Sequence, residues 1–183
     1  SEISASTESG TGGNIAVEAS GGTVALSGNS RLAAEATKSG NAGGVRINTQ
    51  QLSIEQGAQV AASSQKGSGT AGDVDITAST VTLNNGEITA ETDAGGTGNP
   101  ANITLRNLNS LNLSNNSSIS ASTQTGQAGS VNLNQRENPA ASVTLNNSSI
   151  SAQATGDGGN AGDVTINAET LFLNNGEITA ETR

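Results

Sequence analysis

The sequence contains no Cys, His, Met, Trp or Tyr and a single Phe. Without thiolate or imidazole there is no ligand set for a zinc site, and neither cysteine nor Ser-His nucleophilic machinery can be assembled. Aromatic platforms for stacking bases or sugar rings are missing as well. Basic residues are few: seven Lys and Arg stand against 16 Asp and Glu, for a net charge of −9 and a pI near 4.2. No basic stripe is present to neutralise phosphates, so neither nucleic acid nor an anionic membrane surface is an expected partner. No apolar run approaches transmembrane length, and no membrane insertion is expected. The first residues, SEISASTESG, have neither the basic nor the apolar region of a signal peptide. Lack of Cys leaves the redox compartment open. No cofactor is implied.

Large apolar side chains are also scarce. Ile, Val, Leu and Phe together number 33 of 183 residues, below the roughly 20 % at which a highly charged chain is disordered. Charged residues, however, make up only 13 %, about half the usual share of roughly 25 %. Composition alone therefore leaves order undecided, and the placement of the apolar residues settles it.

The decamer LNNGEITAET occurs at 83–92 and again at 173–182, with LSNNSSISAS at 113–122 and LNNSSISAQA at 145–154 between them. GDVDIT at 72–77 returns as GDVTIN at 162–167. The repeat period is near 29 residues, and each period holds three apolar-polar-apolar segments. The first series is Ile15/Val17, Val45/Ile47, Val74/Ile76, Ile103/Leu105, Val131/Leu133 and Val164/Ile166. The second is Val24/Leu26, Leu52/Ile54, Val81/Leu83, Leu111/Leu113, Val143/Leu145 and Leu171/Leu173. In the third, one large residue is followed by Ala two positions on: Ile3, Leu32, Val60, Ile88, Ile119, Ile150 and Ile178. These series take 31 of the 33 large apolar residues and leave out only Leu108 and Phe172.

Period-two alternation puts each set on one face of a strand. Strands this short cannot hold a sheet within one repeat, so they must stack on their equivalents in the next. The expected fold is all-β: a parallel β-helix, or β-solenoid, of about six coils with three short strands each. Rungs about 4.8 Å apart give a rod roughly 29 Å long. We expect one domain over 1–183, with coils starting near 12, 41, 70, 99, 127 and 160 and residues 1–11 ending a preceding coil. Between the second and third strands lies an Asn/Gly corner, at 84–86, 115–117, 146–148 and 174–176. Asn and Gly tolerate the left-handed backbone of a tight turn, and stacked Asn side chains can hydrogen-bond from coil to coil. A longer Gly-rich corner, as at 37–44 and 155–163, reads as an outward loop.

The motifs N-A-G-[DG]-V-x-I (Asn41 to Ile47, Asn160 to Ile166), L-N-N-G-E-I-T-A-E-T and N-N-S-S-I-S-A resemble the repeat region of filamentous-haemagglutinin-like large exoproteins, most closely the cyanobacterial type. The resemblance covers essentially the whole chain. It implies a secreted or cell-surface β-helical shaft, exported by two-partner secretion and serving as an adhesin or extracellular fibre. That family's export domain has no counterpart here, so the chain reads as a shaft fragment. Its implied partners are further coils of the same polypeptide, identical chains, and cell-surface or matrix ligands.

Four candidate sites were weighed. G-G-N-A-G-D at 158–163 invites a calcium reading through Asp163 and its equivalent Asp73, but Gly44, Asn102 and Ser130 hold that position in other coils and turn chemistry is preferred. A carbohydrate-active enzyme would need converging carboxylates. The outward residues show only Arg46 next to Asp75, an exposed ion pair, and the chain is not expected to be an enzyme. The column Ser6, Glu35, Ser63, Glu91, Ser122, Gln153, Glu181 reads as charge spacing for solubility. An ice-binding or other surface-array role would use Thr ladders, yet Thr82 and Thr144 are interrupted by Asn112, and Thr104 and Thr165 by Asn132.

Two irregularities are candidate partner contacts: the enlarged corner 134–142, with Arg136 and Glu137, and the outward Phe172. Pro139 in that corner cannot donate to a ladder. Both ends of the sequence fall on a third strand. We therefore expect end-to-end stacking through Ile3 and Ile178, or cover by further coils.

Overall fold

The computed structural model describes residues 1–65, 69–92, 101–124, 126–156 and 159–183. The coil start expected near 99 and part of the 155–163 corner lie outside the described residues. Seventeen strands follow the repeat. In the first coils these are β1 (Glu2–Thr7), β2 (Ile15–Leu26), β3 (Arg31–Ala36), β4 (Val45–Glu55) and β5 (Gln59–Ser64). The next two coils hold β6 (Val74–Thr77), β7 (Thr80–Asn84), β8 (Glu87–Thr92), β9 (Ile103–Arg106), β10 (Ser110–Ser114) and β11 (Ser118–Thr123). The last two hold β12 (Val131–Leu133), β13 (Ala140–Asn146), β14 (Ser149–Ala154), β15 (Val164–Ile166), β16 (Ala168–Asn174) and β17 (Glu177–Thr182).

Every pairing between these strands is parallel and joins equivalent positions in successive coils, so the fold is the expected β-solenoid of about six turns. Its registers are those of the three apolar series: Ile15, Val45, Val74, Ile103, Val131 and Val164 stack in one column. Val24, Leu52, Val81, Leu111, Val143 and Leu171 stack in a second. Ile3 through Ile178 form the third. A one-residue slip in any column would turn its whole apolar set outward, which is why the pattern fixes the register.

Two sheets result instead of three. The third strands make one, in the order β1-β3-β5-β8-β11-β14-β17, while the first and second strands share the other. They merge because β2 and β4 run unbroken through the first corner, β2 with a register shift between Ala19 and Thr23. Later coils bend there. Leu108, outside the repeat pattern, sits at that bend and is buried beside the core, as Ala78 and Ala140 are at the same corner.

The Asn corner is confirmed in its backbone: Asn85, Asn115, Asn116, Asn147 and Asn175 all have φ between 48° and 62°. Stacked amides bridge the coils, with Asn115 Nδ2 donating to Asn84 Oδ1 at 2.7 Å and Asn175 Nδ2 to Asn147 Oδ1 at 3.2 Å. The Gly-rich corner differs from the expected outward loop. Its closing residues pack flat on the coil beneath, so that a side chain on Gly43 would overlap the carbonyl of Gly13, and one on Gly129 the carbonyl of Ala101. Glycine is required there by close backbone approach.

In the terminal coils the apolar columns are open: Ile3 is 59 % exposed, Phe172 56 % and Leu171 47 %, while Ile178 is half-buried.

Two substitutions test this packing. Leu108→Ala should lower unfolding free energy by about 2–5 kcal/mol in a denaturant titration, the usual range for emptying a buried leucine site. Gly129→Ala should cost at least as much, because backbone must move. A surface placement of Leu108 would instead leave the midpoint unchanged.

Candidate functional site

The residues with chemistry lie on the outer face and at the corners. Asp73 occupies the position just before a first strand. Its Oδ1 accepts from the backbone N–H of Asn102, one coil on, at 2.7 Å, and from Asn102 Nδ2 at 3.3 Å. The pattern continues: Asn102 Oδ1 accepts from Ser130 N at 2.9 Å, and Ser130 Oγ from Asp163 N at 3.2 Å. At the other end Asn14 Oδ1 accepts from Gly44 N at 2.8 Å. Each side chain thus caps the N–H of its successor. This ladder accounts for Asp, Asn and Ser interchanging in the column, since all three supply an acceptor oxygen. Among the described residues no group of three or more Asp or Glu gathers as a metal cluster.

A groove of about 430 Å³ runs past Asn14, Gly44, Arg46, Asp73 and Asp75. Two carboxylates therefore do share a surface, which the strand-by-strand reading missed because Asp73 lies outside the strand. Both are engaged: Asp73 in the ladder, Asp75 with Arg106 Nη1 at 2.8 Å. The expected Arg46–Asp75 ion pair is not formed. The two residues are register partners, but Arg106, beside Asp75's other neighbour Thr104, takes the carboxylate.

Glu35 corrects the solubility reading of its column. It is 9 % exposed, ion-paired to Arg31 on the same strand face, with Ser63 Oγ and Gln65 Nε2 at 3.5 and 3.4 Å. Arg31 and Glu35 flank Ala33, which is fully buried although it faces outward. The pair closes over the alanine. At the far end of the column, the hydrogen bond from Arg183 holds the exposed Glu181 carboxyl below the usual carboxylate range.

The enlarged corner is a small knuckle. Gln135 and Asn138 form an antiparallel bridge, with Asn138 N donating to Gln135 O at 3.0 Å, and Arg136 and Glu137 stand exposed at the tip. Its root is anchored by Asn134, whose Oδ1 accepts from Leu108 N at 2.8 Å and whose Nδ2 donates to Leu108 O at 2.7 Å. One buried amide pairs with a backbone unit as a strand would, an anchor that no sequence signal beyond the Asn itself announces. The Thr columns are broken as expected: Arg46, Asp75, Thr104, Asn132 and Thr165 follow one another, and Ser53, Thr82, Asn112, Thr144 and Phe172 another.

Comparisons with protein-family models, with curated proteins and with solved structures find no match.

If Asp73 is a ladder acceptor, Asp73→Asn should keep thermal stability, while Asp73→Ala should lose about 1 kcal/mol, the usual worth of one hydrogen bond. Added calcium should leave the melting temperature of the parent chain unmoved. A calcium-dependent rise abolished by Asp73→Asn would assign the column to metal instead.

Proposed function

We propose that this chain is a length of structural or adhesive shaft in a secreted or cell-surface fibre. One observation carries the reading: all three strand columns run through the described coils in a single unbroken register, so each coil adds length without changing the cross-section. The motif resemblance to filamentous-haemagglutinin-like exoproteins supports the extracellular setting. A surface of small hydroxyl and amide side chains on an acidic rod is consistent with a solvated fibre. Its partners in this reading are further coils or a second copy along the axis, and cell-surface or matrix ligands across it.

Duplicating one coil tests the shaft role. A second copy of residues 41–69 inserted after Gly69 keeps every register and should lengthen the rod by one rung, about 4.8 Å, with the β-type circular dichroism and cooperative unfolding retained. Aggregation or loss of cooperativity would count against a modular shaft. Location is tested separately: antibody against the 134–142 knuckle should label intact, unpermeabilised source cells, and labelling only after permeabilisation would overturn an extracellular role.

A further inference from the structure

The motif N-N-S-S occurs twice, at 115–118 and 146–149, and each copy contains two overlapping Asn-x-Ser sequons. Such a sequon is the acceptor of asparagine-linked sugar, provided the Asn amide and the Ser hydroxyl two residues on can be presented together on a surface turn. The fold separates the overlapping pairs. For Asn115 the partner hydroxyl is Ser117, which is 1 % exposed, donates to Ser114 O at 2.6 Å and accepts from Gly86 N at 3.2 Å. For Asn146 it is Ser148, buried and bonded to Asn146 O at 2.9 Å. These hydroxyls hold the corner and are not available.

The second Asn of each pair is placed differently. Asn116 is exposed at the apex of the corner with φ 62°, and among the described residues its side-chain amide has no hydrogen-bond partner. Its sequon hydroxyl, Ser118, is half-buried and makes one long bond of 3.4 Å to Glu87 Oε1. Beside it a groove of about 270 Å³, lined by Gln59, Glu87 and Ser118, leaves the turn approachable. Asn147 is exposed as well, but its amide lies in the Asn ladder: Oδ1 accepts from Asn175 at 3.2 Å and Nδ2 donates to Asn146 at 3.4 Å. The remaining sequons are unsuited. Asn102 is tied at both amide atoms to Asp73 and Ser130, and Asn112 lies mid-strand in β10, paired on both sides.

We propose that the folded chain is an acceptor for asparagine-linked glycosylation at Asn116, with Asn147 as a slower second site. In the transfer, Asn116 Nδ2 bonds to the anomeric carbon of a sugar activated as a pyrophosphate ester. The sugar C–O bond to phosphate breaks, the phosphate leaves with the electron pair, and the amide proton passes to a base of the transferase. The glycan would stand one coil from its second copy on the same edge of the rod, giving an otherwise uniform fibre one glycosylated edge. Its biological use rests on the extracellular reading above, but the acceptor chemistry does not.

The test is to incubate the purified, folded chain with a sequon-reading asparagine glycosyltransferase and a nucleotide-activated hexose, then map occupancy by peptide mass spectrometry. Asn116 should fill first, at least about tenfold faster than Asn115 or Asn146, the factor set by about 1.4 kcal/mol of hydrogen-bond loss at Ser117 or Ser148. Ser118→Ala, which leaves the Asn115 sequon intact, should abolish modification at Asn116. A synthetic peptide of residues 111–122 should lose the preference between Asn115 and Asn116. The proposal is overturned if the folded chain stays unmodified while the peptide is modified, or if Asn115 and Asn146 fill as fast as Asn116. Neither outcome bears on the cell-surface labelling, so the two readings fail separately.

Discussion

The structure depends on one requirement: the backbone N–H and C=O groups along each strand edge can be satisfied only by the same strand of the next coil. A strand of three to seven residues has no other partner, and so the coils must lie in register. Everything variable is pushed into the corners. Register partners lie 28 residues apart from Ile103 to Val131 and 33 apart from Val131 to Val164, and the extra residues emerge as the knuckle at 134–142 and the adjoining Gly-rich corner. The corner still has to return to the ladder, and Asn134 accomplishes this by offering its own amide as a backbone substitute to Leu108.

The same requirement explains the composition. A thin coil encloses a narrow core, and few large side chains per turn suffice to fill it because each is covered above and below by its equivalents. Val45, Ile47, Leu52, Ile54 and Val60 of a single coil are all within 1 % of full burial. The rest of the coil must turn tightly and lie flat on its neighbour, which selects Gly, Ala, Ser and Asn. Scarcity of large apolar residues, a sign of disorder in a globular chain, is here what a continuous axial core needs.

The strands and their registers were legible because period-two alternation states which side chains are inside, and repetition states which strands meet. Side-chain bonding on the outer face was not, because it depends on diagonal neighbours. Asp75 sits across from Arg46 by register, yet pairs with Arg106 one coil further along and two residues on. Glu35 belongs to a column of well-spaced acids but turns along its own strand to Arg31. Leu108 carried no repeat signal because its corner is filled by Ala in neighbouring coils. The capping role of Asp73 was hidden in a column that mixes Asp, Asn, Ser and Gly, residues that share an acceptor function only when three have a side chain and the fourth has none.

That interchange points to how such a rod can acquire chemistry without losing its fold. Inside, every position is held by its neighbours above and below, so a change is felt by three coils at once. At the corners, two layers coexist in the same few residues. In N-N-S-S the Ser hydroxyls at 117 and 148 turn inward to complete the bend, and the Asn at 116 and 147 face solvent in a left-handed conformation. Where the outer amide is taken up by the Asn ladder, as at Asn147, the corner serves cohesion. Asn116 lacks that contact and leaves its donor free for an external partner. The choice between axial cohesion and outward reactivity is thus made at single amides, one coil at a time, with the parallel ladder beneath unaffected by which way each amide is used.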